Sequence, residues 1–222
     1  MWTSFEGLNA PTTPPEHEFT LHTDRLLRIA LSDSRAWSKH GAMVAYTGAV
    51  EFDYQGSGSV GRFMKKALTG EGQRLMTFHG RGEVFAADQN RHIFLVYLQG
   101  EGLTVNGPSL LAFSSGIEWD IVRVHGLGGM ASAGLFNTQL QGTGWVALTA
   151  HGKPILFDVQ AQPLTVDPQA AVAWASTVTT EMRTNLKLGS LVGRGSGEGI
   201  QMVCGGQGWV LIQPAETSPV IA

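Results

Sequence analysis

Three stretches of this chain repeat one pattern in one phase. Alternating apolar residues stand at Leu27/Ile29/Leu31, at Phe94/Val96/Leu98 and at Ile155/Phe157/Val159. Each stretch leads, without insertion or deletion, to an alanine-aromatic step: Ala45-Tyr46, Ala112-Phe113 and Ala173-Trp174. A second alternating run follows in each copy, Val50/Phe52/Tyr54, Ile117/Trp119/Ile121 and Val178/Thr180/Met182. The copies lie 67 and then 61 residues apart. A period of two puts one set of side chains on one face of a strand. Here the intervening residues are polar (Glu51 and Asp53, Glu118 and Asp120, Thr179 and Glu181), so the other face is wet. One phase kept three times points to a chain assembled from like β units, and a repeat of this kind decides the fold before any motif does.

A second element recurs with it. Gly-x-Gly followed by a strand stands at Gly80-Arg81-Gly82, Gly142-Thr143-Gly144 and Gly206-Gln207-Gly208, and leads into Glu83-Val84, Trp145-Val146 and Trp209-Val210. A strand follows each of these glycine pairs where a phosphate loop would need a helix N-terminus, so they read as bulges or corners. Read as the first element of each copy, this strand is missing before Leu27 and left over at the C-terminus. An unpaired strand exposes backbone groups. The expectation is therefore that the C-terminal strand completes the first repeat, closing one pseudo-threefold domain. The fold expected is all-β, a single domain of three β-sandwich modules over 24–214. The repeats are placed at about 24–79, 80–141 and 142–205, closed by strand 206–213. A partly extended N-terminal segment over 1–23 and a C-terminal tail over 215–222 flank it. The only helix expected is a short one over 61–68, where Phe63, Met64, Ala67 and Leu68 oppose Lys65 and Lys66, with Gly70 as its stop.

Composition excludes several functions. Glycine supplies 29 of 222 residues, roughly double its usual share of about 7%. Hydrophobic residues at 43% are too many for a disordered chain. A net charge of −3, with no periodic Lys/Arg pattern, argues against nucleic-acid binding. No run of 18 apolar residues offers a membrane span. The proline-rich, acidic start has no apolar run, so no signal peptide is expected there. With one cysteine, Cys204, the expected location is the cytoplasm.

No chemistry-bearing constellation emerges. The seven histidines (17, 22, 40, 79, 92, 125, 151) form no His-x-His and hold no equivalent repeat positions, so no metal site is expected. No Gly-x-Ser-x-Gly elbow appears, and Gly56-Ser57-Gly58-Ser59 and Gly195-Ser196-Gly197 read as loops. Cys204 lies in the alternation Ile200/Met202/Cys204 and reads as core. Glu51 and Glu118 hold matching positions, as an acid–base pair or as the solvated sides of two equivalent strands. Arg62, Lys65, Lys66 and Arg74 form one basic cluster, a solvated face with room for a weak peripheral contact with a membrane surface. Trp145 and Trp209 hold equivalent places at strand starts, as core or as interface or pocket residues. Low charge favours self-association, so a homo-oligomer is expected, with a protein partner as the other option.

The order Gly41-Ala42-Met43-Val44-Ala45, Leu68-Thr69-Gly70-Glu71, the Gly-x-Gly strands, Leu164-Thr165-Val166-Asp167, Val172-Ala173-Trp174 and Gly205-Gly206-Gln207-Gly208-Trp209-Val210-Leu211-Ile212-Gln213 resembles the altered-inheritance-of-mitochondria protein twenty-four family over about residues 24–214. The resemblance implies a fold similar to the tryptophan RNA-binding attenuation protein, repeated within one chain. It implies a bacterial member and brings no catalytic residues or cofactor. The function expected is a non-enzymatic β scaffold for self-assembly or partner binding. The alternative is a small-ligand-binding module with a pocket between repeats.

Overall fold

The alternation of apolar and polar residues becomes extended backbone almost everywhere it occurs. The computed structural model describes residues 4–6, 17–54, 75–123, 136–184 and 200–215; the helix expected over 61–68 lies outside them. Within the described residues the strands, in chain order, are β1 (Ser4–Glu6), β2 (Phe19–Thr23), β3 (Leu26–Lys39), β4 (Met43–Tyr54), β5 (Leu75–Ala86), β6 (His92–Asn106), β7 (Leu110–Ser114), β8 (Ile117–Arg123), β9 (Phe136–Ala150), β10 (Ile155–Asp158), β11 (Leu164–Val166), β12 (Ala171–Ala175), β13 (Val178–Thr184), β14 (Ile200–Gly206) and β15 (Trp209–Ile212). One 3-10 turn, Gly107–Ser109, interrupts them. The result is a single all-β domain.

Every pairing is antiparallel. Nine strands follow one another as β10-β15-β12-β6-β9-β7-β3-β5-β4, with β1 added to β6, β2 to β3 and β8 to β9; β11-β14-β13 form a separate three-stranded sheet. Three cores result. The first gathers Phe19, Leu27, Ile29 and Phe78 beneath Leu95, Leu111, Ala112 and Trp145. The second gathers Phe94, Val96, Leu103 and Leu140 beneath Val172, Ala173, Trp209 and Leu211. The third holds Val159, Val166, Trp174, Met202 and Cys204.

The strand register pairs like with like. Val50 faces Gly80, Ile117 faces Gly142 and Val178 faces Gly206. Ile29 faces Val84, Val96 faces Val146 and Phe157 faces Val210. These pairs correct the expected role of the C-terminal strand. β15 pairs with β10 and β12, not with the opening strands. The Gly-x-Gly strand is the last element of its unit, not the first. It folds back on the strands just before it, so none is left over, and the strand added to β3 is β2. The reason is local. Only Gln207 and Gly208 separate β14 from β15, so the two act as one bent return strand, as β5 and β9 do unbroken.

The glycine pairs mark the bend. Gly82, at φ 154°, faces Gly48 across the hairpin, and a Cβ built on it would lie 2.0 Å from the Thr47 carbonyl oxygen. At Gly142, φ 136°, the Cβ would lie 2.5 Å from the Gly116 oxygen. Neither backbone conformation nor space admits a side chain there. Gly82→Ala is expected to destabilise the fold by about 1–3 kcal/mol or more. For a chain of this size that is a fall of several degrees in melting temperature, measurable by circular dichroism.

Candidate interaction edges

The sites marked in the sequence fall into two kinds of place. Trp145 opens the second half of β9, where burial covers it and its ring packs 4.9 Å from Tyr97 and 5.4 Å from His17 between centroids. Trp209 opens β15 and is buried in the second core. Each tryptophan covers a core built mainly by the preceding hairpin unit, so both stand at junctions inside the chain. Glu51 and Glu118 are exposed on separate hairpins. Glu51 faces His79, whose Nε2 lies 3.2 Å from its carboxylate and whose Nδ1 lies 3.4 Å from Asp53. Glu118 faces Gln141 in the same register. Each glutamate thus meets its own hairpin partner. Cys204 is buried, which pushes its thiol up to about 11 and keeps it from acting as a thiolate.

Two polar clusters carry no local sequence signal. In the first, Asp88 accepts from Lys39 Nζ at 2.8 Å and Arg91 Nη1 at 3.3 Å. The Arg91 guanidinium also donates to the carbonyl of Pro108 at 2.7 Å. Gln213 Oε1 accepts from the His151 amide at 2.9 Å, and Gln213 Nε2 donates to the Gln169 carbonyl. The cluster ties the end of β3 and the β5–β6 and β9–β10 turns to the residue after β15. Arg91 and Asp88 are both buried. Removing one partner leaves a buried charge unpaired, so Asp88→Ala should cost about 3–5 kcal/mol in chemical denaturation.

In the second cluster, Ser114 donates to Glu18 Oε2 at 2.7 Å and accepts from the Trp145 amide at 3.0 Å. Burial raises the Glu18 carboxyl above its ordinary value, with the Ser114 hydrogen bond opposing. The folded protein therefore holds this proton more tightly than the unfolded chain does. The stability this adds is present below the ordinary value of 4.5 and is lost as pH rises through the higher folded value. Glu18→Gln, which keeps an acceptor for Ser114, should raise the melting temperature at pH 7 and leave it unchanged well below pH 4.5.

The exposed large hydrophobics gather elsewhere. Among the described residues they are Val44 at 62% and Tyr46 at 49% on β4, and Ile155 at 50% and Leu156 at 40% on β10. These two strands are the ends of the nine-strand path. Alternation alone reads all four as ordinary strand residues; what sets them apart is that each strand has a described neighbour on one side only. Among the described residues no three His, Cys, Asp or Glu side chains gather as a metal ion would need, and no helix is long and apolar enough to cross a membrane.

The family model described as Mitochondrial biogenesis AIM24 matches residues 19–215, from the first residue of β2 to past β15. The chain belongs to this family. A crystal structure of a protein from Streptococcus pyogenes is similar with a TM-score of 0.71 and 20% identity, covering 92% of this chain and 93% of that one. At that identity the likeness concerns the fold. No curated protein matches the sequence significantly. In this AIM24-family chain the match spans the three cores and both terminal strands of the nine-strand path.

Proposed function

We propose that this AIM24-family protein is a non-enzymatic β scaffold that works through its sheet edges, assembling with copies of itself or with a protein partner. One observation carries the reading: the exposed large hydrophobics of the described residues sit on the two terminal strands of the main sheet. A strand edge offers a row of backbone donors and acceptors, and apolar side chains on it add a driving force for pairing. The matched registers and the glycine bends support three like modules in one chain, each covering the core of the one before. The tryptophans at positions 145 and 209 then serve the joints between modules. A cytoplasmic location suits the single thiol.

Light scattering on the purified full chain tests the reading. A mass that is a multiple of 23.8 kDa is expected at micromolar concentration. A monomer over the whole accessible range, together with no captured protein from the host, would overturn it.

A further inference from the structure

The alanine-aromatic step that recurs three times meets two different fates. In the second unit Leu111, Ala112 and Phe113 are fully buried, and in the third Val172, Ala173 and Trp174 are buried as completely or nearly so. In the first unit Val44, Ala45 and Tyr46 stand exposed, Val44 at 62% and Tyr46 at 49%. The sequence is as apolar in the exposed copy as in the buried ones, so the difference lies in what covers it.

Strand pairing shows what is missing. β7 lies between β9 of its own unit and β3 of the unit before, with Ser38 facing Ala112, Trp37 facing Phe113 and Ala36 facing Ser114. β12 lies between β15 of its own unit and β6 of the unit before, with Val105 facing Ala173, Thr104 facing Trp174 and Leu103 facing Ala175. Both joints use the same register. β4 has its own β5 on one side and, among the described strands, no strand on the other. The other half of that joint is also open at the far end of the chain. β11 corresponds to the stretches of β3 and β6 that receive β7 and β12, and among the described strands it pairs only with β14. Among the described strands, one chain therefore carries an unused donor strand at its first unit and an unused acceptor strand at its last.

We propose that a second copy of this chain completes the joint: β4 of one molecule adds antiparallel to β11 of the next, with Ala45 opposite Val166, Tyr46 opposite Thr165 and Thr47 opposite Leu164. The occupant is a second copy because the two joints inside the chain already show this strand and this edge meeting in this register. The interface is head-to-tail and continues the internal order of units from one molecule to the next. Such a heterologous contact gives a closed ring if its rotation closes and a filament if it does not. Higher on the same face the first unit differs: Glu83 stands where the other units have Trp145 and Trp209, and it accepts from Arg28 Nε at 2.9 Å. The joint is therefore centred on the strand edge and its Val44-Ala45-Tyr46 triplet. This inference rests on the scaffold reading and names its self-assembly surface.

The test is complementation between two blocked full-length chains, each checked by thermal melting. Thr165→Lys places a charge on the exposed acceptor edge, and Tyr46→Lys places one on the donor edge; lysine on an edge strand opposes pairing. Wild type should scatter as a multimer, and each variant alone as 23.8 kDa monomers. An equimolar mixture should give a 1:1 dimer that grows no further, because each partner keeps one working edge. If Tyr46→Lys lowers melting, Val44→Lys replaces it in the same design. A wild-type multimer that survives in both variants and dissolves in Ile155→Lys would overturn this joint and leave the scaffold reading standing. A mixture that fails to pair, or a wild-type monomer, would overturn the joint outright.

Discussion

The structure depends on return strands that bend at a glycine pair. There β9 exchanges β8 for β7 and the β14–β15 pair exchanges β11 and β13 for β10 and β12, while β5 keeps β3 and β4 on both sides of its glycines. β9 shows the exchange without interruption. Before Gly142 it pairs with β8 and the far part of β6, and from Gly144 onward with β7 and the near part of β6. At Gly80, Gly82 and Gly142 the facing backbone comes so near that a Cβ would collide with a carbonyl oxygen, and at Gly144 it would meet the Ser114 side chain. That close approach lets β9 run as one strand from β8 to β7.

Covering is then relayed along the chain. Leu111, Ala112 and Trp145 sit on strands of the second unit but complete the core built on β2, β3 and β5. Val172, Ala173, Trp209 and Leu211 sit on the third unit and complete the core built on β6 and β9. The third core is assembled from strands of its own unit alone. A relay of this kind, like stacked repeats in general, has two ends that differ from its interior. The exposed apolar residues of β4 and β10 are found at those ends, and the cluster of half-buried Lys39 with buried Asp88 and Arg91 holds Gln213, the residue after β15, against the body of the molecule.

Much of the fold was legible in the residues. The alternation over Leu27–Leu31 and Phe94–Leu98, the alanine-aromatic steps and the Gly-x-Gly pairs located strands and bends, because side-chain period and positive φ are local properties. The family resemblance rested on the same residues. The phase of the repeat was not legible. Whether Gly206–Gln213 opens a unit or ends one depends on which strand lies beside it, and the spacing to Ile155 is compatible with both. Trp145 and Trp209 were marked as core or interface, and they occupy cores that are at the same time junctions between units. The Ser114–Glu18 and Asp88–Arg91 contacts join residues 96 and 3 apart respectively, and only the first needs the fold to bring the residues near. What the fold adds to the second is the burial that makes its charges expensive to separate.

By itself the sequence determined that this chain makes β-strands, where glycine pairs bend them, and that one residue pattern recurs three times along the chain, since each follows from the covalent neighbourhood of a residue. Tertiary structure decided which strands become neighbours, and so which copy of a nearly identical apolar triplet is buried and which faces water. Burial is a property of the strand across the gap, and Val44-Ala45-Tyr46 carries no mark of whether that strand is there.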